Sequence, residues 1–476
     1  MLRDHTSEVP DEIFWKFFDE WSFTELQPAL HVSVRWRCLL LDHPSYWRCI
    51  TLDAPTPGAA ALCLLRMARS NNRPFELLID VNHMWDALRT SIFPAFLCHS
   101  EHIDSLSLKL HAFDAPDLAE LLVAPFPLLR RFTFFVHMVE AIPRRTLLPT
   151  NLFGHKAHVL REVLLRDVDL PLLSISVFHR LTYLSFAYGT VRSPARPAPN
   201  VFRHSPHLRT LRLSGGIALL DPSYSSPSNW IGVTAFALNC PVPILQPLPW
   251  GGRPLTTLHR IHIGYGDSYI SRALFDHLSG FLELVILDLQ YDEPGTFETC
   301  IVGDGNMVRA FTEELWNWAS SQTLLHSWFD AADTAGRLVS FTISNTLWST
   351  VVRFLLLPLP CLAEVRLWLE PDRQTLPAEN PIICANLRTL VLRSELATIS
   401  VDSTALLDFA QVCLLERTES LHIVLEGDVI VRPAAMSAAA RVTITHSVMG
   451  RWWHPTNSHR DPPISKSTSE LLCCKH

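Results

Sequence analysis

Leu208-Arg209-Thr210-Leu211-Arg212-Leu213 puts apolar side chains at the first, fourth and sixth of six positions, and this spacing returns along the chain. Copies begin at Ile103, Leu129, Leu160, Leu181, Leu208, Val233, Leu258, Leu284, Leu338, Leu362 and Leu387, with steps of 21 to 31 residues apart from one of 54. The alternation closing each copy predicts a short strand. The period predicts a stack in which the inward side chains of one copy are covered only by the copies on either side. A strand at 75–81, after a helix over 59–70, starts the stack, and strands at 421–425 and 442–444 finish it. Stretches such as 116–123 and 406–414 have helical apolar spacing and are expected on the convex side.

The pattern resembles leucine-rich repeats. It is degenerate, because the regular Asn or Cys after the second strand leucine is missing, as in Leu211-Arg212-Leu213-Ser214-Gly215. The resemblance implies an irregular horseshoe over 54–450. The long step covers 293–337, read either as one degenerate repeat or as an insertion, with a helix expected over 306–320 after the Gly303-Asp304-Gly305 turn. Its Trp316, Trp318 and Trp328 are read as core before contacts. The proline-rich 192–206 is expected to be a rim loop and 451–476 a disordered tail, with Trp452 and Trp453 closing the stack.

Upstream lies Val9 to Leu52, VPDEIFWKFFDEWSFTELQPALHVSVRWRCLLLDHPSYWRCITL. Pro10 suits a first helical turn, where its missing N–H would have no partner. Asp11 and Glu12 lie at the positive end of that helix's dipole, and Ile13, Phe14, Phe17, Phe18 and Trp21 recur at three-and-four spacing as one apolar stripe. Ser22 or Thr24 caps a second helix that tolerates Pro28 near its start. Leu26, Leu30, Val34, Leu39 and Leu40 carry the apolar face into a third helix, ended by Pro44. A unit of this size cannot bury all its aromatics alone, so some must face a partner or the rest of the chain.

Residues 8–53 resemble an F-box. Val9-Pro10-Asp11-Glu12-Ile13 matches the opening L-P-x-E-[IL] with Val for Leu, and Thr24-Glu25-Leu26 stands at [SP]-x-[DE]-L. Val32 to Trp36 stands at V-[CS]-[KR]-x-W and Asp42 to Trp47 at D-x-x-x-W. The expected fold class is therefore an α+β or α/β solenoid, with an N-terminal three-helix F-box followed by the irregular horseshoe. The resemblance implies docking to the S-phase kinase-associated (SKP) adaptor of a cullin-RING ubiquitin ligase through Pro10, Ile13, Phe14, Phe17, Leu26, Leu30, Val34, Trp36 and Trp47.

Composition bounds the rest. The 476 residues are 48% hydrophobic and 18% charged, which describes a folded chain rather than a disordered one. A net charge of −7 offers no basic field, so nucleic acid is not an expected partner. Eleven cysteines without a CxxC pair, and no signal-peptide pattern, point to a reducing compartment, cytoplasmic or nuclear. The uncharged run from Trp230 to Trp250 is interrupted by four prolines, so a buried strand and loop are expected there, not a membrane span. Cys473 stands at a prenylation position, but Lys475 and His476 depart from that pattern.

No GxSxG, GxxxxGK[ST], HExxH or GxGxxG motif occurs, and no catalytic residues, metal or cofactor are expected. The pairs His99/His102, His155/His158, His204/His207 and His259/His262 would bind zinc only if they shared a face with further ligands. Without cysteine or carboxylate patterns beside them, solvated or core positions are expected. The function expected is that of a non-enzymatic substrate receptor, its target unknown and held by strand residues Arg130, Arg131, Arg161, Arg166, Arg212, His262 and Arg366. These cations suggest an acidic or phosphorylated target. Two alternatives stay open, an interaction scaffold without ubiquitin transfer and a repeat-based enzyme.

Overall fold

In Phe75-Glu76-Leu77-Leu78-Ile79-Asp80-Val81 every second residue is apolar, and in the computed structural model this segment is a strand that buries Phe75, Leu77, Ile79 and Val81. The structure describes residues 9–21, 23–70, 73–81, 86–111, 121–137, 146–188, 196–197, 199–215, 217–218, 224, 226–239, 258–264, 278–288, 296–314, 334–354, 358–370, 376–377, 379–415, 421–432 and 442–447. They divide into two compact units, the first ending at Tyr224 and the second beginning at Ser225.

The first unit opens with α1 (Asp11–Glu20), α2 (Phe23–Ala29), α3 (Val34–Asp42) and α4 (Pro44–Arg48), followed by β1 (Cys49–Leu52) and α5 (Pro57–Arg69). A parallel sheet then grows in chain order through β2 (Phe75–Val81), β3 (Ile103–His111), β4 (Arg131–His137), β5 (Glu162–Arg166), β6 (Tyr183–Tyr188) and β7 (Thr210–Gly215). One inward row reads Ile50, Leu77, Leu106, Phe132, Val163, Leu184 and Leu211, all in register and all buried. Only neighbouring strands cover such a row, so the stack is stabilised strand by strand. At the end of β7, Gly215 has φ 82, and a Cβ there would lie 1.6 Å from the carbonyl oxygen of Tyr188 on β6. Glycine is needed both for the conformation and for the approach.

The second unit holds β8 (Ala235–Asn239), β9 (Arg260–Gly264), β10 (Leu282–Asp288), β11 (Thr296–Gly303), β12 (Met307–Glu314), β13 (Leu338–Ser344), β14 (Glu364–Trp368), β15 (Thr389–Asp402), β16 (Leu421–Arg432) and β17 (Val442–Ser447). Their sheet is mixed. β10, β11 and β12 form an antiparallel meander, while β12 pairs in parallel with β9, and β10 with β13. The long step in the repeat is therefore two strands inserted between β9 and β10 in the sheet.

The expected three-helix F-box and α/β horseshoe are thus corrected. The described residues form mostly large sheet, with few helices, five of them seven residues or longer. Four helical segments, not three, precede the first strand. The convex helical layer is also largely absent among the described residues. Beyond Ser100 the crossovers of the first unit contain short 3-10 turns at Leu152–His155 and Ser176–Arg180 and a four-residue helix at Val201–His204. Prolines, 34 in the chain and frequent in these crossovers, remove helical hydrogen bonds and keep the segments irregular. The helix expected over 306–320 is strand β12 as far as Glu314. The helix expected over 406–414 forms as Ser403–Val412, with Leu414 in a short strand, and is capped by Asp402, whose side chain accepts from the Thr404 N–H. Readings on 112–120, 192–195, 240–250, 315–333 and 451–476, with Trp316, Trp318, Trp328, Trp452 and Trp453, fall outside the described residues.

Candidate functional site

The N-terminal helices gather around an aromatic core. Phe14 and Phe18 of α1, Leu26 and Ala29 of α2, Leu40 of α3, and Tyr46 and Trp47 of α4 are buried together. The Trp36 ring meets Phe14 edge-on at 5.0 Å and Phe18 at 5.9 Å, a favoured aromatic geometry. Trp47 donates its indole N–H to the Leu41 carbonyl at 2.7 Å. Arg35 donates to the Val9 carbonyl at 2.6 Å and pairs with Asp11, which holds α3 against the start of α1.

This packing sorts the expected adaptor residues. Phe14, Leu26 and Trp47 are core, and Leu30 and Trp36 are half-buried against it. Pro10, Ile13, Phe17 and Val34 face outward, with Ile13 41%, Phe17 55% and Val34 73% exposed. The single apolar stripe expected on α1 is really two, Phe14 and Phe18 inward and Ile13 and Phe17 outward. Trp15 and Val32, absent from the expected set, are also exposed. The sequence signal for them was the excess of apolar residues on α1, more than one helical face can bury.

Arg66 joins these helices to the sheet. It lies buried on α5 and donates to the carbonyls of Tyr46 at 2.7 Å and Cys49 at 2.6 Å, at the junction of α4 and β1. Burial lowers its pKa to about 10, so it remains a cation at neutral pH.

The outward face of the first sheet was the expected target surface. Arg131 pairs with Glu162 on the next strand at 2.8 Å, and Lys109 with Asp80 at 2.7 Å. Arg161 turns back to the Leu160 carbonyl at 2.8 Å, and Arg212 donates to the Tyr183 hydroxyl at 3.1 Å. Arg130 and Arg166 are exposed, the latter 3.9 Å from Asp167. Of the expected cations in this unit, Arg131 and Arg212 thus bond across strands, Arg161 to a neighbouring carbonyl, and Arg166 stands at the carboxyl end of β5.

In the second unit, His262 is half-buried and Arg366 pairs with Glu364 at 2.6 Å. Across β10, β11 and β12 the sheet is buried on both sides. Val285, Leu287, Cys300, Val308 and Ala310 form a second apolar cluster on the face opposite Leu284, Ile301 and Phe311. Cys300 sits in it, its thiol pushed well above the usual range by burial. These positions are interior, not a binding face.

His204 is buried and accepts from the Ile175 N–H at 3.2 Å, while His155 shares a 2.6 Å hydrogen bond with Ser176. Among the described residues no group of three or more His, Cys, Asp or Glu could hold a metal ion, and no helix is long and apolar enough to cross a membrane. Comparison with protein-family models and with curated proteins finds no match for this chain.

Proposed function

We propose that the chain is a substrate-recognition subunit of a cullin-RING ubiquitin ligase, binding the SKP-family adaptor through its N-terminal helices and a target protein through the rest. The observation that carries the reading is the outward stripe of Pro10, just before α1, and Ile13 and Phe17 on it. These residues match the adaptor-binding motif, and they are apolar side chains left exposed by a segment that already has a filled core. In this reading the chain does no chemistry itself. It holds adaptor and target at a fixed separation, and a ubiquitin-conjugating enzyme elsewhere in the assembly transfers ubiquitin.

The test is co-purification of adaptor and cullin with the full chain, wild type against Ile13→Glu/Phe17→Glu. Both substitutions lie on the surface and leave the aromatic core in place. Adaptor and cullin recovered with the wild type and lost with the variant support the reading. Recovery of neither with a folded wild type refutes it. Recovery of the adaptor without cullin would favour a scaffold.

A further inference from the structure

On the outward face of the first sheet Arg131 is met by Glu162 and Arg161 is turned to a carbonyl. At the carboxyl ends of β3, β4 and β5 further basic side chains come together. His111 on β3 is in register with His137 on β4, two residues beyond the rung formed by Lys109, Phe135 and Arg166. Leu110 and Val136, which form the rung between them, are buried, so the two imidazoles share the outward face with Lys109 and Arg166. Arg166 is 50% exposed, and its 3.9 Å separation from Asp167 is long for a charge-assisted hydrogen bond. Lys109 lies beneath, its side chain 14% exposed and paired with Asp80.

We infer that His111, His137 and Arg166, backed by Lys109, bind a phosphomonoester dianion carried on an extended segment of a partner protein. Donors standing on three adjacent strands suit a ligand laid across the sheet, and Phe135 between Lys109 and Arg166 offers a ring for a neighbouring side chain. The dianion brings three acceptor oxygens, which the guanidinium fork and two imidazole N–H groups can satisfy together. The charged groups facing His137 are Asp80, Arg166, Lys109 and His111. Burial keeps its pKa below the ordinary value, Asp80 pulls the other way, and the three cations add to the lowering. A bound dianion opposes that lowering by favouring the protonated ring of His137. The inference does not depend on the adaptor reading, since none of its residues is among those proposed to meet the adaptor, and it narrows the target-binding part of the proposed function.

The test is fluorescence polarisation of the full chain with a labelled Gly-Ser-phosphoSer-Gly-Ser peptide, its unphosphorylated twin, and inorganic phosphate as competitor. The expected result is preference for the phosphorylated peptide. It weakens by roughly tenfold in Arg166→Gln and in His137→Gln, and stays unchanged in Arg180→Gln, an exposed arginine of the same unit outside the corner. Unaltered melting temperatures separate these losses from unfolding. Three results would overturn the inference: equal binding of the twins, an Arg180→Gln loss as large as that of Arg166→Gln, or displacement by phosphate at a concentration equal to the peptide's. The last would identify a free-anion site instead.

Discussion

Phe17 and Phe18 are neighbours in sequence with opposite roles. Phe18 is fully buried among Phe14, Trp21, Trp36 and His43, while Phe17 is 55% exposed. Phe18→Ala should cost about 3–5 kcal/mol in urea unfolding, whereas Phe17→Ser should stay within about 0.5 kcal/mol. Equal costs would mean that Phe17 is core. His204 offers a second residue-level expectation. Burial lowers its pKa to about 4, with the nearby Arg203 adding to the effect. The unfolded chain takes up a proton near pH 6.5, the folded chain only near 4, so stability falls with pH across that window and levels off below it. His43, His99 and His137 are lowered as well and act in the same direction. His204→Gln should therefore flatten, without abolishing, the fall in unfolding free energy between pH 7 and pH 5. An unchanged slope would contradict the assignment.

At the scale of elements, strands were easier to read than helices. The alternation in Phe75–Val81 and the repeated apolar triplets located strands that form where expected. The same apolar content misled over 306–320, where Met307, Val308 and Phe311 allowed a helical reading. In β12, Val308, Arg309, Ala310 and Phe311 are buried in succession, as in a strand covered on both faces, and such a run has no period to tell strand from helix. The better signal was Gly303-Asp304-Gly305-Asn306 between two eight-residue runs, a hairpin pattern. On α1 the spacing showed a helix but not which apolar residues it buries. Phe14 of α1, Leu26 of α2 and Trp47 of α4, all expected at the adaptor, are buried in the core of the helices. The tie between α5 and the α4–β1 junction was invisible in sequence, because Arg66 reaches carbonyls 17 and 20 residues away. Arg66→Ala leaves those two acceptors unsatisfied and should destabilise the first unit by about 2–4 kcal/mol. Hydrogen exchange would show that loss concentrated in α4, β1 and β2. Uniform exchange throughout the unit would mean that the arginine is only a packing residue.

At the scale of the whole molecule, the recurring triplet located strands, but the horseshoe it implied gives way to large sheet, mixed in the second unit, with few helices among the described residues. Both depend on where prolines interrupt the crossovers and where two inserted strands enter, and a repeat period carries neither. The proposed role depends on the division of α1 into a buried stripe and an exposed one. Affinity for the adaptor should depend on Ile13 and Phe17 while stability depends on Phe14 and Phe18. The most direct test is a titration of purified full chain with purified adaptor, comparing wild type with Ile13→Glu/Phe17→Glu at matched melting temperature. The account predicts saturable wild-type binding weakened at least about 30-fold in the variant, the loss of roughly 2 kcal/mol expected when an apolar anchor is removed. Equal binding by both chains, or none by a folded wild type, would contradict it.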